Sequence, residues 1–268
     1  MLQEYKMYIN GEWINSSSEK KIETLNPETN EVWATVPDAN DEDVDFAVQS
    51  AQKAFDTSWS KLHPRDRAKY LRLIANELRN NAEHLGKIET IDTGKLFRET
   101  KTQANYIAEY YDYFAGLADK VEGTVVPIDK EDMQVTTTRV PIGVVAAIIP
   151  WNSQMLLTAV KLAPALAMGN TVVIKASELA PVTLLEFAKL IEKTGIPKGV
   201  VNVITGLGDP CGKALTQHNL VERIAFTGGP ETARHIIKNS SHNLSQVSLE
   251  LGGKSPVAVL MMLIKKMQ

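Results

Sequence analysis

Val144-Val145-Ala146-Ala147-Ile148-Ile149 is an unbroken apolar run, and it begins a rhythm that lasts to residue 251. A helical pattern over 156–168 follows, then Thr171-Val172-Val173-Ile174-Lys175 as a strand. A helix over 184–194 is closed by Gly195 and followed by Pro197. The spacing next predicts a strand over 200–204, a short helix over 212–218 and a strand over 223–226. A helix over 232–239 and a strand over 246–251 complete the series. Strands alternating with helices across short loops imply an α/β fold: a doubly wound parallel sheet, Rossmann-like, with helices on both faces. Such sheets bind ligands in the crevice outside the carboxyl ends of their strands. Functional residues are therefore expected just after each strand.

Toward the N-terminus the pattern changes. Ile9-Asn10-Gly11-Glu12-Trp13 sets a turn-forming Asn-Gly pair between apolar residues, a hairpin signal. Val44, Ala47, Val48, Ala51, Ala54 and Phe55 recur at helical spacing, with Asp41, Glu42 and Asp43 at the positive end of the helix dipole. Further helices fit 65–85 and 99–118. The second carries Tyr106, Tyr110, Tyr111, Tyr113 and Phe114, whose spacing predicts core packing. Residues 121–140 read as two β-branched strands with no core face, a candidate interface hairpin.

Composition narrows the function. Hydrophobic content of 44% suffices for a buried core, and a net charge of −3 gives no reason to expect nucleic acid or an anionic membrane as partner. No secretory signal pattern opens the chain, and the apolar run at 257–264 is too short to span a bilayer. The single cysteine, Cys211, forms no internal disulfide framework and suits a reducing, cytoplasmic compartment. The five histidines lack metal-ligand spacing, so no metal site is expected.

Four strand ends carry candidate chemistry. After Ile149-Pro150-Trp151, the Asn152 amide can stabilise a developing oxyanion; the tetrapeptide alone is equally a turn beside a proline. In Lys175-Ala176-Ser177-Glu178, the lysine and glutamate can reach the hydroxyls of one ribose, and the acid would repel a 2′-phosphate. A surface ion pair explains the same spacing. Phe226-Thr227-Gly228-Gly229, leading into a helix, would let backbone approach a pyrophosphate, although it fits the dinucleotide fingerprint only loosely. In Leu249-Glu250-Leu251-Gly252-Gly253-Lys254, a glutamate between leucines is expected to be partly desolvated and poised as a general base, or else buried against Lys254. Gly206-Leu207-Gly208-Asp209-Pro210 lacks the third glycine and reads as an ordinary turn, with Cys211 incidental to it.

Taken in order, these pieces resemble the aldehyde dehydrogenase family over residues 6–256. The likeness runs from Ile9-Asn10-Gly11-Glu12-Trp13 and Asn26-Pro27 through Asp92-Thr93-Gly94-Lys95 and Tyr113-Phe114-Ala115-Gly116. It continues through Arg139-Val140-Pro141-Ile142-Gly143, Pro150-Trp151-Asn152 and Ala163-Pro164-Ala165-Leu166. Lys175-Ala176-Ser177-Glu178, Phe226-Thr227-Gly228 and Leu249-Glu250-Leu251-Gly252-Gly253-Lys254 close it. The resemblance implies oxidation of an aldehyde to a carboxylate with NAD, NADP remaining open. In that chemistry a cysteine thiolate attacks the aldehyde, hydride passes to the nicotinamide, and an activated water hydrolyses the thioester.

Carried over by motif, Asn152 would supply the oxyanion amide and Glu250 the general base. Pro150, Trp151, Lys175, Ser177, Glu178, Phe226, Thr227, Gly228, Gly229, Leu251 and Gly252 would bind the cofactor. Residues 1–120 and 141–268 would form the NAD(P)-binding domain, and 121–140 a hairpin for homo- or hetero-oligomers. Ala176 and Gly229 depart mildly from the family, which commonly has proline and serine there. Residues 251–268 hold no cysteine, so the catalytic domain bearing the nucleophile is expected to be absent and the chain to end prematurely. The alternative expectation is a non-catalytic NAD-binding or interaction module.

Overall fold

In a computed structural model of the chain, which describes residues 2–258, the apolar runs fall where the rhythm puts them. The N-terminal strands are β1 (Gln3–Glu4), β2 (Met7–Ile9), β3 (Glu12–Ile14), β4 (Lys21–Asn26) and β5 (Glu31–Pro37). Helices α1 (Asp41–Thr57), α2 (Pro64–Asn80), α3 (Ala82–Thr93) and α4 (Phe97–Leu117) lead to a hairpin of β6 (Val125–Val126) and β7 (Val135–Thr136). The alternating half contains β8 (Val144–Ile148), α5 (Gln154–Ala167), β9 (Thr171–Lys175), α6 (Val182–Lys193) and β10 (Val201–Ile204). It ends with α7 (Lys213–Gln217), β11 (Val221–Gly228), α8 (Pro230–Ser240) and β12 (Gln246–Leu251).

Among the described residues the main sheet has seven strands, in the order β12-β11-β8-β9-β10-β2-β3. The strands from β12 to β10 are mutually parallel, as expected. Alternation splits β8 between two cores: Val145 and Ala147 face the cluster of α2–α6, while Val144 and Ala146 face that of α1 and α8. Strand order runs one way from β8 to β9 and the other way to β11, so the topological switch point lies between β8 and β11.

The structure departs from expectation at several places. The Asn10-Gly11 hairpin forms with both turn residues at positive φ, yet it is not a separate unit. β2 is fully buried and joins β10 antiparallel through Val203 and Tyr8, covering what would be an open edge. The helix expected over 65–85 is two helices. The chain breaks at Asn81 (φ −114°, ψ 15°), whose amide donates to the Glu77 carbonyl at 2.8 Å and so competes with helix continuation. Of the aromatics on α4, Tyr111 is buried against Phe187, but Tyr106 and Tyr113 are exposed. The hairpin of β6 and β7 presents its residues to solvent. The run at 257–264 lies mostly outside the described residues. No helix among the described residues is long and apolar enough to cross a membrane.

Candidate functional site

The strands nearest the switch point end on one cleft of about 1060 Å³. Pro150, Trp151 and Asn152 reach it from β8, Phe226 to Gly229 from β11, and Glu250 to Gly252 from β12. The register explains the convergence, because Phe226 lies level with Ile148 on one side and Leu249 on the other. Lys175, Ser177 and Glu178 do not line this cleft. They follow β9, where Lys175 lies level with Ile148 and accepts an N–H from Ile149 at its carbonyl, 3.1 Å. The expected groups thus share one end of the sheet on adjoining strands.

Lys175 is buried. Its ammonium donates to the Ala176 carbonyl at 3.1 Å and lies 3.5 Å from the Glu178 carboxylate, which is 39% exposed. The pair is therefore not the loose surface bridge that spacing alone allowed. A buried cation leaning toward a half-open carboxylate presents one donor and one acceptor side by side. At the other wall, β11 delivers Gly229 to the N-cap of α8, where no side chain satisfies the first helical N–H groups. Those groups, with the helix dipole behind them, suit an anion.

Glu250 requires a correction. Expected to be desolvated between leucines, it is exposed, and Leu251 beside it is 45% exposed. β12 is the outermost strand of the sheet among the described residues, and its last two residues lie open to solvent. Lys254 forms no ion pair with Glu250 among the described residues.

The cleft also holds a residue the sequence reading passed over. Lys161, on α5, donates to Thr227 Oγ1 at 2.6 Å. Burial pushes the ammonium below its ordinary range, and the charge of Glu250 opposes that push. The signal was present: Lys161 is the lone charge within the apolar helix 156–168. Cys211 is fully buried, and burial pushes its thiol up to about 12. A Cβ at Gly206 would stand 2.6 Å from Cys211 Cβ and 2.9 Å from its Sγ, so the turn wraps closely around the side chain. A thiol so enclosed is no nucleophile.

A doubly wound sheet with a glycine bend and an uncapped helix N-terminus at its switch point is the architecture of dinucleotide-binding proteins. Comparison with known proteins narrows this. Residues 13–263 match the aldehyde dehydrogenase family, and the chain belongs to it. It is 55% identical over 96% of its length to (Z)-2-((N-methylformamido)methylene)-5-hydroxybutyrolactone dehydrogenase of Acinetobacter baylyi, covering 53% of that protein. It is 41% identical over 93% of its length to betaine aldehyde dehydrogenase of Bacillus subtilis, covering 51%. A crystal structure of betaine aldehyde dehydrogenase from Staphylococcus aureus in complex with NAD+ superposes with a TM-score of 0.90 at 38% identity. That match covers 92% of this chain and 50% of the other. The chain spans about half the length of the curated relatives it matches.

Proposed function

We propose that residues 2–258 form the cofactor-holding part of an enzyme that oxidises an aldehyde to a carboxylic acid with NAD+. The observation that carries this is the convergence of Asn152, the Gly228-Gly229 bend and Glu250 on one cleft, with Lys175 and Glu178 on the next strand. Crystal structures of betaine aldehyde dehydrogenase in complex with NAD+ support the same cofactor. The residues fit a dinucleotide: a Cβ at Gly229 would meet nothing within 4 Å, leaving room for a pyrophosphate beside the first N–H groups of α8. Lys175 and Glu178 grip the adenosine ribose hydroxyls, with Ser177 fixing their turn. The Glu178 carboxylate repels a 2′-phosphate, which favours NAD+ over NADP+. Bound NAD+ supplies a hydride acceptor.

In this reading Asn152 donates its amide N–H to the oxygen of the aldehyde as negative charge develops there. Glu250, being exposed, has water beside it and accepts a proton from the molecule that hydrolyses the acyl intermediate. The attacking thiolate is not Cys211 and comes from outside residues 1–268. The exposed β6–β7 hairpin is the proposed contact with a further subunit, and the single enclosed thiol suits a cytoplasmic setting. The burial of Cys211 also favours, for residues 1–268 taken alone, binding without turnover; aldehyde-dependent NADH formation by the chain would exclude that second reading.

Titration with NAD+ and NADP+ by calorimetry tests the proposal. Saturable NAD+ binding, at least about tenfold tighter than NADP+ and brought level by Glu178→Gln, is the expected result; this gap corresponds to roughly 1.4 kcal/mol. Absence of saturable binding to either dinucleotide overturns it.

A further inference from the structure

Asn152 is followed by a helix start that breaks several local rules at once. Ser153 is the N-cap of α5, the position at which serine ordinarily accepts a hydrogen bond from the first-turn N–H groups, yet its side chain makes no cap bond. Its hydroxyl instead accepts from the Lys95 ammonium at 2.7 Å. Lys95 follows α3, whose C-cap Gly94 takes a left-handed conformation (φ +74°) that turns the chain sharply. The same ammonium pairs with Glu89 Oε1 at 3.2 Å and donates to Gln103 Oε1 at 3.4 Å.

Two features of this arrangement work against stability. An ammonium beside a helix N-terminus opposes the helix dipole. Glu89 is fully buried and its second oxygen, Oε2, has no partner, which is a costly way to hold a carboxylate. Burial accordingly pushes that carboxyl upward, with Lys95 opposing the push. A serine cap and an apolar residue at position 89 would make a more stable junction. Local rules broken together at one point mark a place where geometry is held for another purpose. The segment being held is the loop 150–153.

We propose that Lys95 is a positioning residue which, anchored by Glu89, clamps Ser153 and so fixes the Asn152 amide toward the cleft. This rests on the reading of Asn152 as oxyanion donor, a task that requires placement within about 0.5 Å. Lys95 itself touches neither cofactor nor aldehyde; it acts through the serine. Gln103, from the second turn of α4, limits where the ammonium can move, so the clamp joins α3, α4 and α5 at one point.

The test uses the 268-residue chain labelled with 5-fluorotryptophan. Trp151 adjoins Asn152, and Trp151→Phe assigns its ¹⁹F resonance among those of Trp13, Trp33 and Trp59. Lys95→Met is expected to shift and broaden the Trp151 resonance while leaving the other three unmoved. It should weaken NAD+ roughly tenfold, as a misplaced positioning contact does. Lys95→Arg should restore most of both signals. Ser153→Ala should reproduce the Trp151 change, and adding it to Lys95→Met should change nothing further. Should Lys95→Met fail to fold, Ser153→Ala decides alone.

An unmoved Trp151 resonance in both variants overturns the proposal. So does a change spread equally over all four tryptophans, which marks a packing role only. If the unaltered chain binds no NAD+, the proposed function fails, but the ligand-free resonance still decides on Lys95.

Discussion

Two neighbouring glycines in the proposed pyrophosphate bend should respond to substitution in opposite ways. Gly228 ends β11 on the same face as Phe226, two residues earlier. A Cβ at Gly228 would stand 2.4 Å from Phe226 Cζ and 3.0 Å from Cε2, far inside the roughly 3.5–4.0 Å at which carbon atoms rest. Phe226 is 4% exposed and packed in the cluster shared with Ala233 and Ile236, so the ring cannot swing clear without disturbing them. Overpacking of this kind costs about 1–3 kcal/mol. For a chain of this length that lowers Tm by roughly 2–12 °C.

Gly229 has ordinary extended backbone (φ −78°, ψ 152°) and open space around a built Cβ. Serine there would reach back to an unsatisfied N–H of the first turn of α8 while removing glycine's excess freedom from the unfolded chain. The gain is about 1 kcal/mol and roughly 2–4 °C. Thermal unfolding followed at 222 nm separates the pair, with NAD+ titration alongside. Gly228→Ala should also weaken NAD+ about tenfold by moving the bend, whereas Gly229→Ser should stay within about threefold. Relieving the ring with Phe226→Leu should recover part of the Gly228→Ala loss, a coupling above about 1 kcal/mol. A Gly228→Ala chain as stable as the unaltered one, or Gly229→Ser melting lower, would refute the steric argument.

Two further outcomes follow from buried titrating groups. Asp92 accepts from the Thr183 N–H and hydroxyl at 3.0 Å each, yet burial outweighs those bonds and pushes its carboxyl from 3.8 to about 7. The folded chain therefore holds a proton that the unfolded chain releases between about pH 4 and 7. The contribution is fully present below that window and falls as pH rises through it, by on the order of 4 kcal/mol at most. Urea unfolding from pH 4 to 8 should show this slope, and Asp92→Asn should flatten it; an unchanged slope would mean that Asp92 stays ionised. Cys211, its thiol pushed up to about 12, should resist iodoacetamide at pH 8 in the folded chain and react once urea unfolds it. Rapid labelling of the folded chain would count against its enclosure.

The parts of this fold legible in the sequence are those set by local signals. β9 and β12 have the bounds that their residue patterns imply: β9 is a run of β-branched residues, and in β12 Val247, Leu249 and Leu251 alternate with polar residues. The joining of β2 to β10 was not legible, since Tyr8 meets Val203 across nearly the whole chain and no neighbour in sequence announces the partner. Burial failed for the same reason. Glu250 looks desolvated when only Leu249 and Leu251 are considered, but its environment is decided by what lies over β12, and among the described residues its face stays open. The separation of the expected helix at Asn81 was foreshadowed by Asn80-Asn81, which favours side-chain bonds to the backbone over helix continuation.

The candidate site shows a more useful regularity. Its strand-end residues were visible because doubly wound topology fixes where ligands bind. Lys161 and Lys95, which the reading passed over, share a different mark: each is a charge placed where local rules would put something else. Lys161 is desolvated in an apolar helix, and Lys95 stands at a helix N-terminus beside a serine it keeps from capping. A stretch that satisfies every local preference needs no further explanation, so its residues carry little functional information. A charge that local rules oppose must be held there by tertiary contacts, and those contacts lead back to the loop 150–153 and to Thr227. Searching the sequence for such oppositions would have found Lys161, the lone charge in an apolar helix; Lys95 opposes a helix start 58 residues away and comes to light only in the folded chain.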